Sequence, residues 1–109
     1  MNLMIIIKSS PEERKKIREA LRLCAAMIGM DESPYVVFLS QGVEYLKKGV
    51  IEDAEIAEYL QTVSDLAGVY YLNELNVGSI SLDPVFDPIP LNIHELAEHI
   101  LECKTVVTF

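Results

Sequence analysis

The 109 residues are enough for one domain, expected to span 1–109. At this size roughly two-thirds of the unfolded surface is buried on folding, which permits a core without disulfides or metal. Half of the residues are apolar and 24% are charged, excluding a disordered polyelectrolyte, and a net charge of −8 argues against sequence-independent attraction to nucleic acid or anionic lipid. The longest apolar run, around Met4–Ile7, stops at Lys8 and is too short for a membrane span or a secretory signal. The expected location is therefore the cytoplasm.

Charge is unevenly distributed along the chain. Residues 1–49 carry eight basic and six acidic side chains, whereas residues 50–109 carry one basic residue, Lys104, and eleven acidic ones. Such polarity could bring a basic face of one subunit against an acidic face of another. A solvated surface with no such role is the commoner outcome.

In chain order, Leu3–Ile7 is a β-branched apolar run suited to a strand buried on both faces. Ser10-Pro11-Glu12-Glu13 reads as a helix start with Ser10 as cap. Ile17, Leu21, Cys24, Ala25 and Ile28 then recur at helical spacing up to Gly29. Arg14, Lys15, Lys16, Arg18 and Arg22 occupy the remaining faces of that helix. Tyr35–Leu39 is a second strand, turned by Ser40-Gln41-Gly42 into a short helical piece, Val43–Lys48, closed by Gly49. A second helix is expected over about Glu52–Ala67, with Ile56, Leu60 and Val63 on one face and Gly68 after its end.

Val69–Leu72 is the third strand, and Asn73–Asp83 suggests a loop with one helical turn. Val85–Ile89 is interrupted by Pro88 and is at best a short or edge strand. Asn92-Ile93-His94-Glu95 is a capping box opening a helix that carries Leu96, Ile100 and Cys103, and Lys104–Phe109 is a final β-rich segment. Strands alternating with amphipathic helices imply a three-layer α/β/α sandwich with about five mostly parallel strands. Right-handed crossovers place the loops Lys8–Pro11, Ser40–Val43 and Asn73–Asn76 at the carboxyl ends of the strands, where open α/β sheets bind ligands.

Several chemistries lack their residues. No glycine-rich phosphate loop follows the first strand, and Lys8-Ser9-Ser10 stands where a phospho-receiver needs acidic metal ligands. Paired cysteines for thioredoxin-like redox work are missing. Glu95 and His99 are an i, i+4 pair, but two ligands on one helix make a poor metal site; a solvated face is expected there, with no metal and no cofactor. Cys24 and Cys103 are expected to be reduced thiols. The first lies on an apolar stripe, and the second at a helix C-terminus where unpaired carbonyls disfavour a thiolate. If either reacts, Cys103 is the more accessible.

Arg18-Glu19-Ala20-Leu21, Val36-Val37-Phe38-Leu39 with Gln41-Gly42-Val43, and the terminal Val106-Val107-Thr108-Phe109 together resemble the DsrE/DsrF/DsrH family, which includes the TusB, TusC and TusD proteins, over nearly the whole chain. The likeness is strongest to the DsrF/TusC type. The resemblance implies assembly with like subunits or with DsrE/F/H-type partners, as a homo-oligomer or a heteromeric complex, in an intracellular sulfur relay. Competent members carry a persulfide cysteine just after the third strand. The matching segment here, Tyr71-Leu72-Asn73-Glu74-Leu75, has no thiol, so the resemblance implies a non-catalytic subunit or scaffold. Two alternatives stay open: a sulfurtransferase using Cys103 or Cys24, and a small-ligand module at the strand carboxyl ends. For ligand or partner contact the candidate residues are Ser9, Ser10, Gln41, Gly42, Asn73 and Glu74.

Overall fold

The computed structural model describes residues 3–72 and 82–109. Its elements run β1 (Leu3–Ile7), α1 (Arg14–Gly29), β2 (Tyr35–Phe38), a 3-10 segment (Ser40–Leu46), α2 (Ala54–Leu66), β3 (Val69–Leu72), a 3-10 turn (Pro84–Phe86), β4 (Ile89–Leu91), α3 (Ile93–Glu102) and β5 (Thr105–Thr108). The five strands form one sheet in the order β4-β3-β2-β1-β5, and every pairing is parallel. Helices cover both sides, giving the expected sandwich.

Alternate residues of each strand point to opposite faces, so two cores form. Ile5, Ile7, Val36, Phe38 and Val69 meet Ile17, Leu21 and Cys24 of α1 and Ile56, Leu60 and Val63 of α2. On the other face Met4, Ile6, Tyr35 and Val37 meet Leu96 of α3. The first face has two helices over it. The second has α3 alone among the described residues, and Ile89 on β4 and Val106 on β5 remain partly exposed there.

Helix ends follow local chemistry, with some departures from expectation. Asp53 caps α2 by accepting from the N–H groups of Glu55 and Ile56, and Gly68, at φ 80°, donates to the Val63 carbonyl after its end. The Asn92–Glu95 capping box forms as its spacing requires, at 2.8 and 3.0 Å. α1 begins later than its sequence suggests, at Arg14, and Glu13 at its N-cap makes no side-chain capping bond. Ser10 does not cap it: its carbonyl accepts from Glu13 N–H and from the Tyr45 hydroxyl. The left-handed residue after α1 is Asp31, at φ 59°, rather than Gly29.

The helical piece expected at Val43–Lys48 is a 3-10 segment that starts earlier, at Ser40. The edge strand expected at 85–89 is displaced to Ile89–Leu91. Asp83 accepts from Val85 N–H and Pro84 pre-sets φ, so residues 84–86 curl into a turn and Asp87 takes φ 44° before the strand starts. Pro90 lies within β4, at the sheet edge, the place where a missing N–H is tolerated.

Candidate functional site

The carboxyl ends of β1 and β2 lie side by side, and this brings together four of the residues singled out from sequence. Ile7 on β1 pairs with Phe38 on β2, so Ser9 and Ser10 leave one strand next to Gln41 and Gly42 leaving the other. Leu39 N–H donates to the Ile7 carbonyl and Gly42 N–H to the Leu39 carbonyl, both at 2.9 Å. Lys8 and Ser9 N–H groups donate to the carbonyl of Phe109, which returns its own N–H to Ile6. The strand ends are thereby tied off by backbone. Asn73 and Glu74 lie outside the described residues.

Gly42 is needed here for space. Its φ lies outside the left-handed region, and Ser40, at φ 53°, makes the tight turn instead. A Cβ on Gly42 would overlap the Ile7 carbonyl. Only glycine lets the 3-10 segment close onto the end of β1, and Val43 then drops into the core at 3% exposure.

Ser9 is buried, and its hydroxyl finds no hydrogen-bond partner among the described residues. Nearby, burial pushes the Tyr45 phenol pKa up. Gln41 is exposed. Of the concavities among the described residues, none is lined by Ser9, Gln41 or Gly42. One of about 40 Å³ lies among Pro11, Arg14, Tyr45, Asp53 and Ile56. Another, about 270 Å³, is a groove between α1 and α2 walled by Ala25, Glu55, Glu58, Tyr59 and Thr62.

The two thiols sit away from this edge. Cys24 is fully buried against the first core, and burial pushes its pKa up to about 12. Cys103 caps the C-terminus of α3 just before β5 begins, at the amino ends of the strands, across the sheet from Ser9. Partial burial and then the charge of Glu102 raise its pKa. Both thiols are thus shifted away from the reactive thiolate form at neutral pH.

A polar cluster beneath α3 escaped sequence reasoning. Tyr35 stacks on Tyr70 with ring centroids 4.3 Å apart, and His99 also lies against Tyr35, at 4.6 Å. Thus His99 is on the inner face of α3, contrary to the solvated face expected for it. The signal was present: His99 falls three residues after Leu96 and four before Cys103, on one helical stripe. The Tyr35 hydroxyl and His99 Nδ1 are buried without hydrogen-bond partners among the described residues, although Nδ1 lies 3.7 Å from a Glu102 oxygen. Burial first, and then Tyr70, raises the Tyr35 pKa. No group of three His, Cys, Asp or Glu side chains suited to a metal ion occurs among the described residues.

The segregated charges partly neutralise one another within the chain. Arg18 of α1 reaches Asp53 at 2.7 Å, and Arg22 reaches Glu55 at 3.9 Å. Lys16 pairs with Glu13, the residue just before α1, at 3.4 Å. Asp53 is held below the ordinary carboxylate range by the Ile56 N–H, and then by Arg18.

These features define an open, all-parallel α/β domain in which the carboxyl ends of β1 and β2 are closed by backbone and carry no thiol. The profile of the DsrE/DsrF-like family matches residues 1–109, and the chain belongs to that family. Its fold is shared with the crystal structure of the ychN protein from E. coli, at a TM-score of 0.78 and 20% identity, with 100% of this chain and 99% of that one covered. A search of curated proteins gave no match. Family membership suggests a sulfur-relay-related role and partner subunits. No helix among the described residues is long and apolar enough to cross a membrane.

Proposed function

We propose that this protein is a non-catalytic subunit or scaffold of a cytoplasmic sulfur-relay assembly, of the DsrF/TusC type. One observation carries the proposal. The segment that follows β3, Asn73-Glu74-Leu75, holds no cysteine where competent relatives hold the persulfide. A persulfide needs a sulfur nucleophile at the site of transfer. The two thiols that the chain does have support this reading. Cys24 is sealed in the core, and Cys103 lies at the opposite edge of the sheet with a raised pKa. The strand ends around Gly42 are filled by backbone, which favours contact with a partner surface through Ser10 and Gln41 over enclosure of a small ligand.

The test is sulfur loading of the purified protein with a radiolabelled persulfide donor, followed by peptide mapping. The expected result is no covalent label that survives gel filtration. Label on Cys103 or Cys24 that moves on to an acceptor thiol would overturn the non-catalytic assignment in favour of a relocated sulfurtransferase.

A further inference from the structure

We infer that β5 is a docking edge for a second copy of this chain, the two β5 strands pairing antiparallel about a two-fold axis at Val107 and joining two sheets into one. β5 lies at the end of the sheet and, among the described residues, pairs only with β1. Phe109 N–H donates to the Ile6 carbonyl, and the Phe109 carbonyl accepts from Lys8 N–H, so Phe109 turns its backbone toward β1. Backbone groups alternate sides along a strand; Val107 therefore also faces β1, while Val106 and Thr108 face away. Among the described residues nothing hydrogen-bonds to the outward N–H and C=O groups of Val106 and Thr108.

Sheets commonly blunt such an edge with proline, charge or a bulge. The opposite edge strand, β4, has three residues with Pro90 in the middle. β5 has none of these devices: Thr105-Val106-Val107-Thr108 runs in unbroken register with β1 and contains neither proline nor charge. All four residues are β-branched, a type suited to paired strands. Even so, Thr105, Val106 and Thr108 are exposed, Val106 at 39%.

The edge is complementary to itself. In the two-fold arrangement Val106 stands opposite Thr108 of the copy, and Thr108 opposite its Val106. Each facing pair exchanges two N–H···O bonds, so every outward group of both strands finds a partner. On the α1 side Val107 meets its own copy. Like charges are not brought face to face, because the net charge of −8 is carried outside this strand. Leu23 and Met27, four apart on α1, lie half-buried on the flank turned away from Arg18 and Arg22, which engage α2. The same axis turns this flank of each copy toward the other. A closed two-fold contact uses up the edge in both copies and stops there. The inference deepens the assembly reading above, on which its purpose rests.

The test is analytical ultracentrifugation of the full chain over a concentration series, with amide hydrogen exchange read residue by residue. The expected result is reversible association to twice the chain mass. Val106 and Thr108 amides should gain protection as the dimer forms, whereas Val107, turned toward β1, is protected at every concentration. Val106→Pro removes one outward donor from each copy, and dissociation should become roughly tenfold easier or more. Val106→Lys places a charge on the same open edge and keeps the test available if proline disturbs the fold, which circular dichroism reports. A chain still monomeric at about 1 mM would overturn the inference. So would an oligomer whose Val106 and Thr108 amides exchange freely, or one indifferent to both variants; either would assign assembly to another surface and leave the non-catalytic reading intact. Sulfur transfer by the protein would instead remove that reading and leave the β5 edge standing.

Discussion

Replacing Gly42 by alanine tests the closure of the strand ends most directly. In an ordinary exposed position with negative φ, Gly→Ala stabilises by about 0.4–1 kcal/mol through the unfolded chain. At Gly42 the new Cβ would overlap the Ile7 carbonyl, a backbone group locked by its hydrogen bond from Leu39 N–H. Neither partner can rotate away, so the cost belongs at the upper end of overpacking, about 3 kcal/mol. Subtracting the unfolded-state gain leaves a net loss of about 2 kcal/mol, or a fall in Tm of about 8–16 °C for a domain of this size. Urea unfolding followed by circular dichroism measures it. Gly29→Ala is the control: nothing lies within 4 Å of the place its new methyl would take, and as the last residue of α1 it should gain up to about 1 kcal/mol from helix propensity. An unchanged or raised midpoint for Gly42→Ala would refute the account of how the 3-10 segment seats on β1.

Three further outcomes are expected. Asp53 has a depressed folded pKa, so its contribution is present above the unfolded carboxylate value near about 4 and is lost as pH falls through the folded value; the Tm advantage of the wild type over Asp53→Asn should therefore shrink below about pH 4, and a constant difference across the acid range would contradict the assignment. Alkylation of the native protein with iodoacetamide at neutral pH should leave Cys24 unmodified and label Cys103 only slowly, with a rate that still rises above pH 9, from which its pKa is raised; rapid neutral labelling of either would count against both thiol assignments. Tyr35→Phe removes a buried hydroxyl with no partner among the described residues, so stability should hold or rise, where loss of a satisfied hydroxyl would cost about 1 kcal/mol. Thermal melts decide between the two.

Much of the architecture was legible because it is written in local periodicity. The β-branched run Leu3–Ile7, the stripe Ile56-Leu60-Val63 and the Asn92–Glu95 box each fix an element through contacts a few residues long. Departures arose where two local signals competed. Val85–Ile89 has a strand's composition, but Asp83 and Pro84 hold its first half as a turn. Ser10 and Glu13 have the spacing of a capping box, but Tyr45, remote in sequence, engages the Ser10 carbonyl instead.

The sequence by itself determined most element types, the parallel α/β class and the absence of cysteine from Asn73-Glu74-Leu75, since each depends on residue identity and short-range spacing. Tertiary structure alone decided the strand order β4-β3-β2-β1-β5, the use of Arg18 and Arg22 against α2, and the stacking of His99 on Tyr35. It also decided that Gly42 is required by the Ile7 carbonyl and that α3 packs on the face of the sheet opposite α1 and α2. The physical reason is common to all of these: each depends on which distant surfaces meet, and no residue's own neighbours in the chain carry that information.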